Sequence, residues 1–466
     1  MLPGTEATEA EATEADAPET EAPETEAPST GAAAVRPLDG FERHWWAIQG
    51  FAPVAVVCTA RLGGHVTADR LRPALSALQA RHGLLRARFA DQHGVPAFAF
   101  DVRAPMPLRA LPRAGPDAWV REATEELHAS FGPPGPLARC TLLEGEAASE
   151  VLFAFHHALG DASGGFEVLR ELAHLLGPRG ADAAARLREP LPIPGALRDH
   201  VRPGDDATSA RQRLRIVMGV ARILAARRAS VPQDHPAALA ERRTRLLPRM
   251  LEPSATEGLA ARAKAEGTTV HGALCAAAML AHRAEAPGTD ARLLGCASPV
   301  NVRRYLATPP RDAMGFYAAI VPTFHRVGRD TPLWDLARGV RRRLDDVVAQ
   351  RAMFRVRALF DRAVPLDAAR GEAYAMRLER LKLVELGVTN LGRQEVPGAP
   401  DAMPVEALHF AAPATVGGAK TLLAATTVHG TLHMNFLSPD PLVSAERAAR
   451  IADATVAGLR AAAQEG

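Results

Sequence analysis

His156 and His157 close the short apolar run "VLFAFHH", Asp161 follows four residues after the second imidazole, and "GDASGG" opens the next helix. An imidazole near neutral pH can take a proton from a hydroxyl or amine nucleophile, general-base work worth roughly 10²–10⁴ in rate. Strand side chains alternate, so consecutive histidines point in opposite directions unless the strand has ended. One should face the core and hold the strand end; the other should face an open cleft. The Asp161 carboxylate, one turn later, is placed to pair with an arginine and fix the loop. That makes it an organiser and not a proton acceptor.

Other chemistries compete for these residues. The plainest reading is core packing beside a turn, with Asp161 or Ser163 capping the helix. The run "GDASGG" is close to the "GDSGG" around a protease serine, but its extra alanine disrupts the spacing of the nucleophile. A His-His-Asp metal site needs convergent ligands, whereas adjacent strand residues diverge, and the chain has neither HExxH nor an acidic cluster around the pair.

Elements that could position the pair alternate along the chain. "FAPVAVVCTARL" reads as a strand, and "ADRLRPALSALQARHG" as a helix that Pro73 should kink or start. "VLFAFHH" is rich in Val and Phe, hence a buried strand. The helix after it stacks Phe166, Leu169, Leu172, Ala173 and Leu176 on one stripe before "GPRG". Residues 196–240 form a connector rich in Pro, Gly, Arg and Asp between lobes expected at 37–195 and 241–466. In the second lobe "SATEGLAARAKAEG" is expected to open with a capping box of Ser254 and Glu257. "VHGALCAAAMLAHRA", the strand "RLLGCASPVNV" and the helix around "LWDLARGVRRRLDDVVAQ" follow. The strands "VELGVTNLG" and "VEALHFA" come next, then a hairpin turning at His429-Gly430 and an amphipathic helix from Ser444. Strands alternating with helices in both halves define an α/β protein of two lobes.

Composition narrows the setting. At 466 residues, 47% hydrophobic and 23% charged, the chain is an ordinary globular one with room for two lobes. No apolar run reaches the roughly 18 residues of a transmembrane helix, and no basic-then-apolar signal opens the chain, so a cytoplasmic address is expected. Cys58, Cys140, Cys275 and Cys296 lack zinc-site or disulfide-framework spacing. Residues 1–30 hold nine acidic residues and no basic one, and a tail over 1–36 is expected to be a disordered spacer. The remainder carries 55 basic against 44 acidic residues, a balance of +11 that suits a phosphorylated ligand or an acidic partner. "SARQRLRIVMGVARILAARR" is a basic amphipathic helix with six arginines and no acid; it suits a solvated bridge, a membrane surface or an acidic carrier protein.

Taken in order, several segments resemble one superfamily. "HHALGD" is similar to the HHxxxD signature of the coenzyme A-dependent acyltransferases, which include nonribosomal peptide condensation domains. "LQARHGLLRARF", "FGPPGPLARCTLLEG", "SPVNVRRYL", "MGFYAAIVPTF" and "GVTNLG" resemble further conserved stretches of that group, from about residue 37 to the C-terminus. The likeness leans to the free-standing alcohol O-acyltransferases and the polyketide-associated acyltransferases. Gly83 stands where proline is common and Ala162 where many members have glycine; "DFGWG" of the plant branch and "NVPGP" of the wax ester synthases are missing.

The resemblance implies two chloramphenicol acetyltransferase-like lobes in a pseudo-dimer around a solvent tunnel. It implies His157 as general base, His156 as a structural residue, and an Asp161–Arg303 salt bridge shaping the loop, with Arg304 the competing choice. It places Asn390 opposite His157, where an amide could stabilise an oxyanion; a strand-end asparagine can equally form a turn. No metal and no permanently bound cofactor are implied, the donor being a phosphopantetheine thioester on coenzyme A or an acyl carrier protein. The acceptor is expected to be a small-molecule alcohol, or else an amine, in natural-product biosynthesis. Ester formation is the expected reaction, with an amide-forming condensation enzyme or a non-catalytic carrier-binding relative as alternatives. Nucleic acid is not an expected partner, and the chain is expected to act as a monomer.

Overall fold

The computed structural model describes residues 34–466 except 133–134, 227–230, 309, 311–313, 383, 399 and 465–466. The acidic tail therefore lies outside the described residues up to residue 33, as do Pro133 and Pro134 of "FGPPGP" and the end of the basic helix. Val35 and Arg36, expected in the tail, instead pair in a strand: β1 (Val35–Pro37) joins β3 (Arg88–Gln92) and β4 (Val95–Ala99) in a small sheet ordered β1-β4-β3.

The first lobe is built on a five-stranded sheet ordered β12-β2-β7-β6-β5. Its strands are β2 (Ala55–Gly63), β5 (Leu108–Pro112), β6 (Ala138–Glu144), β7 (Ala148–His156) and β12 (Val405–Ala411). Central β7 is buried along its whole length, as its run of Val, Leu and Phe requires. Helix Ala162–Leu175 lies on β2, with the expected stripe Phe166, Leu169, Leu172, Ala173 and Leu176 all buried. Gly165 makes that contact possible, because a Cβ there would stand 2.5 Å from Cys58 Sγ and 2.8 Å from the Phe155 ring.

A six-stranded sheet ordered β10-β9-β11-β13-β14-β8 carries the second lobe. It comprises β8 (Arg243–Leu251), β9 (Arg292–Asn301), β10 (Ala318–Val327), β11 (Leu386–Arg393), β13 (Thr421–Val428) and β14 (Thr431–Asp440). Helices Val270–Glu285, Leu333–Ala349 and Ala445–Gln464 pack together over it. The β13–β14 hairpin turns at His429 (φ 47°) and Gly430 (φ 80°), the pair of left-handed residues that a two-residue turn demands.

The lobes are not contiguous in sequence. β12 belongs by position to the second lobe, yet it pairs antiparallel with β2 and completes the first lobe's sheet, Phe410 opposite Cys58. Two local expectations are corrected. The helix with Pro73 starts at Ala68, where Thr67 accepts from Arg70 N, so Pro73 lies inside the helix and does not start it. Ser254 does not cap its helix: Pro253 occupies the first turn with Glu252 ahead of it, a start that proline's fixed φ favours.

Candidate active site

His156 is the last residue of β7, opposite Ala55, and is fully buried. Its Nδ1 accepts from the N–H of Ala158 at 3.1 Å, so the ring caps the turn that follows. Burial holds its pKa down to about 3. At His157 the strand has ended. Its N–H still donates to Val54 O at 2.8 Å, but the residue opens a single helical turn, His157–Leu159, and its half-buried ring turns the other way. The two imidazoles thus have separate surroundings.

The ring of His157 is tightly held. Nδ1 lies 3.0 Å from Gly160 O, and a carbonyl can only accept, so the proton sits on Nδ1 and the free lone pair on Nε2. Trp45 stacks on the imidazole at 4.2 Å and 19°, and Phe316 covers it at 5.3 Å and 43°. Burial pulls its pKa down to about 4, against the partial support of the Gly160 bond and the Asp161 charge. At neutral pH His157 is therefore a neutral acceptor.

Asp161 performs both tasks the sequence allows it. Its Oδ1 accepts from Gly164 N at 3.1 Å, capping helix Ala162–Leu175. Both its oxygens also receive Arg303, Nη1 on Oδ2 at 3.0 Å and Nη2 on Oδ1 at 3.2 Å, and Tyr317 N donates to Oδ2 at 3.1 Å. Arg304 is exposed and lies over the Tyr305 ring at 4.7 Å, so the bridge uses Arg303. The segment Met314–Gly315, which leads into β10, packs directly against the histidine loop. A Cβ on Gly160 would meet Gly315 N at 3.1 Å, and one on Gly164 would meet Met314 Cα at 3.2 Å.

His157, Asp161 and Asn390 line one cavity of about 350 Å³ between the lobes. β9 and β11 pair only at Leu386–Cys296 and Gly387–Ala297, and beyond this Pro299, Asn301, Thr389 and Asn390 all line the cavity. Phe410 on β12 and Leu422 on β13 make its wall largely apolar. Asn390 sits at a register shift in β11, and its Oδ1 accepts from Gly392 N at 2.9 Å. The turn is thus formed, and the Nδ2 hydrogens remain the part of the amide able to serve the cavity. A larger cleft of about 590 Å³ shares none of these residues, and its Arg109, Arg139 and Arg243 are paired with Glu122, Glu126 and Glu125.

Trp45 and Phe316 are the parts of the site that no spacing rule brings to His157. "HWW" and "MGFY" signal aromatic residues in plain view, but their contact with the imidazole is a matter of tertiary packing.

Residues 240–444 match the sequence profile of the phthiocerol/phthiodiolone dimycocerosyl transferase C-terminus family. Over 171 residues the chain is 33% identical to a phosphinothricin tripeptide synthetase of Streptomyces viridochromogenes; the match covers 34% of this chain and spans only 16% of that relative's length. Polyketide synthase associated protein 5 of Mycobacterium tuberculosis superposes with a TM-score of 0.66 at 16% identity, covering 92% of this chain and 98% of the other. The trichothecene 15-O-acetyltransferase of Fusarium sporotrichioides gives 0.70 at 15%, with 94% and 96% covered. The first condensation domain of a calcium-dependent antibiotic synthetase gives 0.66 at 16%, with 93% and 97% covered. The fold is that of the condensation-domain-like acyltransferases.

Proposed function

We propose that the chain moves an acyl group from a phosphopantetheine thioester, on coenzyme A or a carrier protein, to a hydroxyl acceptor in natural-product biosynthesis. The observation that carries this reading is the state of His157: Nδ1–H tied to Gly160 O, Nε2 unprotonated, in the cavity between the lobes. The acceptor hydroxyl gives its proton to Nε2 as its oxygen attacks the thioester carbonyl. Charge builds on that carbonyl oxygen, where Nδ2 of Asn390 would donate; one such donor is worth about 3–4 kcal/mol. Collapse breaks the C–S bond, and the departing sulfur takes the proton back from the imidazolium, which leaves ester and free thiol. Neither a covalent enzyme intermediate nor a metal is called for.

In this reading Asp161 and Arg303 hold the loop and do no chemistry, and the cavity is the middle of a tunnel that donor and acceptor enter from opposite faces. An amine acceptor is the second reading, favoured by the likeness to the tripeptide synthetase. Mass spectrometry of products from mixed acyl thioesters with paired alcohols and amines tests both. Ester products are expected, amides would move the assignment to the second reading, and thioester consumption equal to the blank would overturn both.

A further inference from the structure

Helix Ala210–Ala226 presents an apolar stripe to solvent. Leu214 and Val217 are each 61% exposed and Met218 is 47% exposed, at the i, i+3, i+4 spacing of one helix face. Isolated exposed apolar residues need no explanation, but a contiguous stripe does. Along the helix itself the charge has a single sign. From Ser209 to Arg228 the sequence holds six arginines and no acid. At about 100° per residue, Arg211 and Arg222 fall beside Met218 on one edge of the stripe and Arg213 beside Val217 on the other. All three are exposed, and none has an ion-pair partner among the described residues. No helix among the described residues is long and apolar enough to cross a membrane.

We propose that this helix docks the enzyme flat on an anionic lipid surface. Leu214, Val217 and Met218 would enter the acyl boundary, while Arg211, Arg213 and Arg222 meet headgroup phosphates. The arrangement fits a plane better than a protein partner. The apolar stripe has arginines on both edges, and none of the helix's described side chains is buried. An interfacial helix needs just this pairing of apolar face and basic borders. The site stands apart from the acyl-transfer cavity, since the two share no residue.

Co-sedimentation of the full chain with phosphatidylcholine vesicles, and with vesicles also containing phosphatidylglycerol, tests the proposal without any activity measurement. The bound fraction should partition at least about tenfold more strongly onto the anionic vesicles and fall as salt rises. The combined Leu214→Ser, Val217→Ser, Met218→Ser variant should lose that binding, and so should a separate Arg211→Gln, Arg213→Gln, Arg222→Gln variant. Both should keep the wild-type melting temperature, because the replaced side chains are exposed. Equal sedimentation with the two vesicle types would overturn the proposal. So would variants that bind anionic vesicles like wild type, or variants that lose affinity for an acidic carrier protein while still binding vesicles.

Discussion

The Asp161 carboxylate and the Arg303 guanidinium meet in a two-point pair, at 3.0 and 3.2 Å, that ties the histidine loop of the first lobe to the end of β9 in the second. Tyr317 N completes the second oxygen, and the Arg303 guanidinium lies over the Tyr317 ring at 4.8 Å. The bond that holds the His157 loop is thus also a bond between lobes.

Removing one member of such a pair strands a largely buried charge, at a cost of about 3–5 kcal/mol. Asp161→Asn and Arg303→Ala should each lower the melting temperature. Because they share one interaction, the double variant should lose less than the two single losses added together. A fully additive cycle in denaturant unfolding would mean the pair carries no coupling.

Trp45, which lines the same cavity and stacks on His157, should set the state of that imidazole. Replacing it with alanine removes the stacked face and admits water, so the imidazole should regain basicity towards its ordinary value of 6.5 from about 4. The acidic limb of kcat/KM should then move up in pH by at least about one unit, with kcat falling roughly tenfold. Trp45→Phe should keep most of both. A pH profile unmoved by Trp45→Ala would show that the indole does not set the state of the base.

Acid should unfold the protein early. Burial holds His156 and His44 near 3 and His282 near 4, all below the ordinary 6.5. Between those values the unfolded chain binds protons that the folded one refuses, so stability falls as pH drops below about 6.5. A fully buried neutral histidine costs about 2 kcal/mol by pH ~5. His156→Ala should flatten this dependence while lowering stability at neutral pH by roughly 2–4 kcal/mol through its cavity and lost cap. Thermal melts of both proteins from neutral to acid pH check this, and parallel curves would remove His156 from the account.

Much of the site is legible in the residues themselves. The spacing of His156, His157 and Asp161 places two divergent imidazoles and a carboxylate at a strand end, and Arg303 meets Asp161 there. The contacts of Trp45 and Phe316 with His157 are not legible, because they bring together side chains far apart in sequence that no periodicity links. "VEALHFA" reads correctly as a strand, but a strand does not declare its sheet, and β12 crosses to the first lobe. The helix at Pro253 shows a weak signal masking a strong one: Ser254 and Glu257 match a capping box, while the proline before them sets the start.

The basic body, and not the acidic tail, should receive the donor. Without residues 1–30 the chain carries +11, opposite in sign to coenzyme A phosphates and to an acidic carrier protein. Deleting residues 1–30 should leave turnover unchanged. Raising salt to about 0.5 M should weaken binding of a carrier-linked donor more than of the same acyl group on coenzyme A, since a wider charged face is screened. Equal salt slopes would remove carrier docking, and turnover lost with the tail would give the tail a role.

The most direct test is the turnover of His157→Ala with an acyl thioester and its accepted alcohol, measured beside its melting temperature. With the base gone and the fold intact, kcat should fall by at least about 10² while the melting temperature stays near wild type. A folded variant that keeps more than about a hundredth of wild-type turnover would contradict the assignment of His157 as the base.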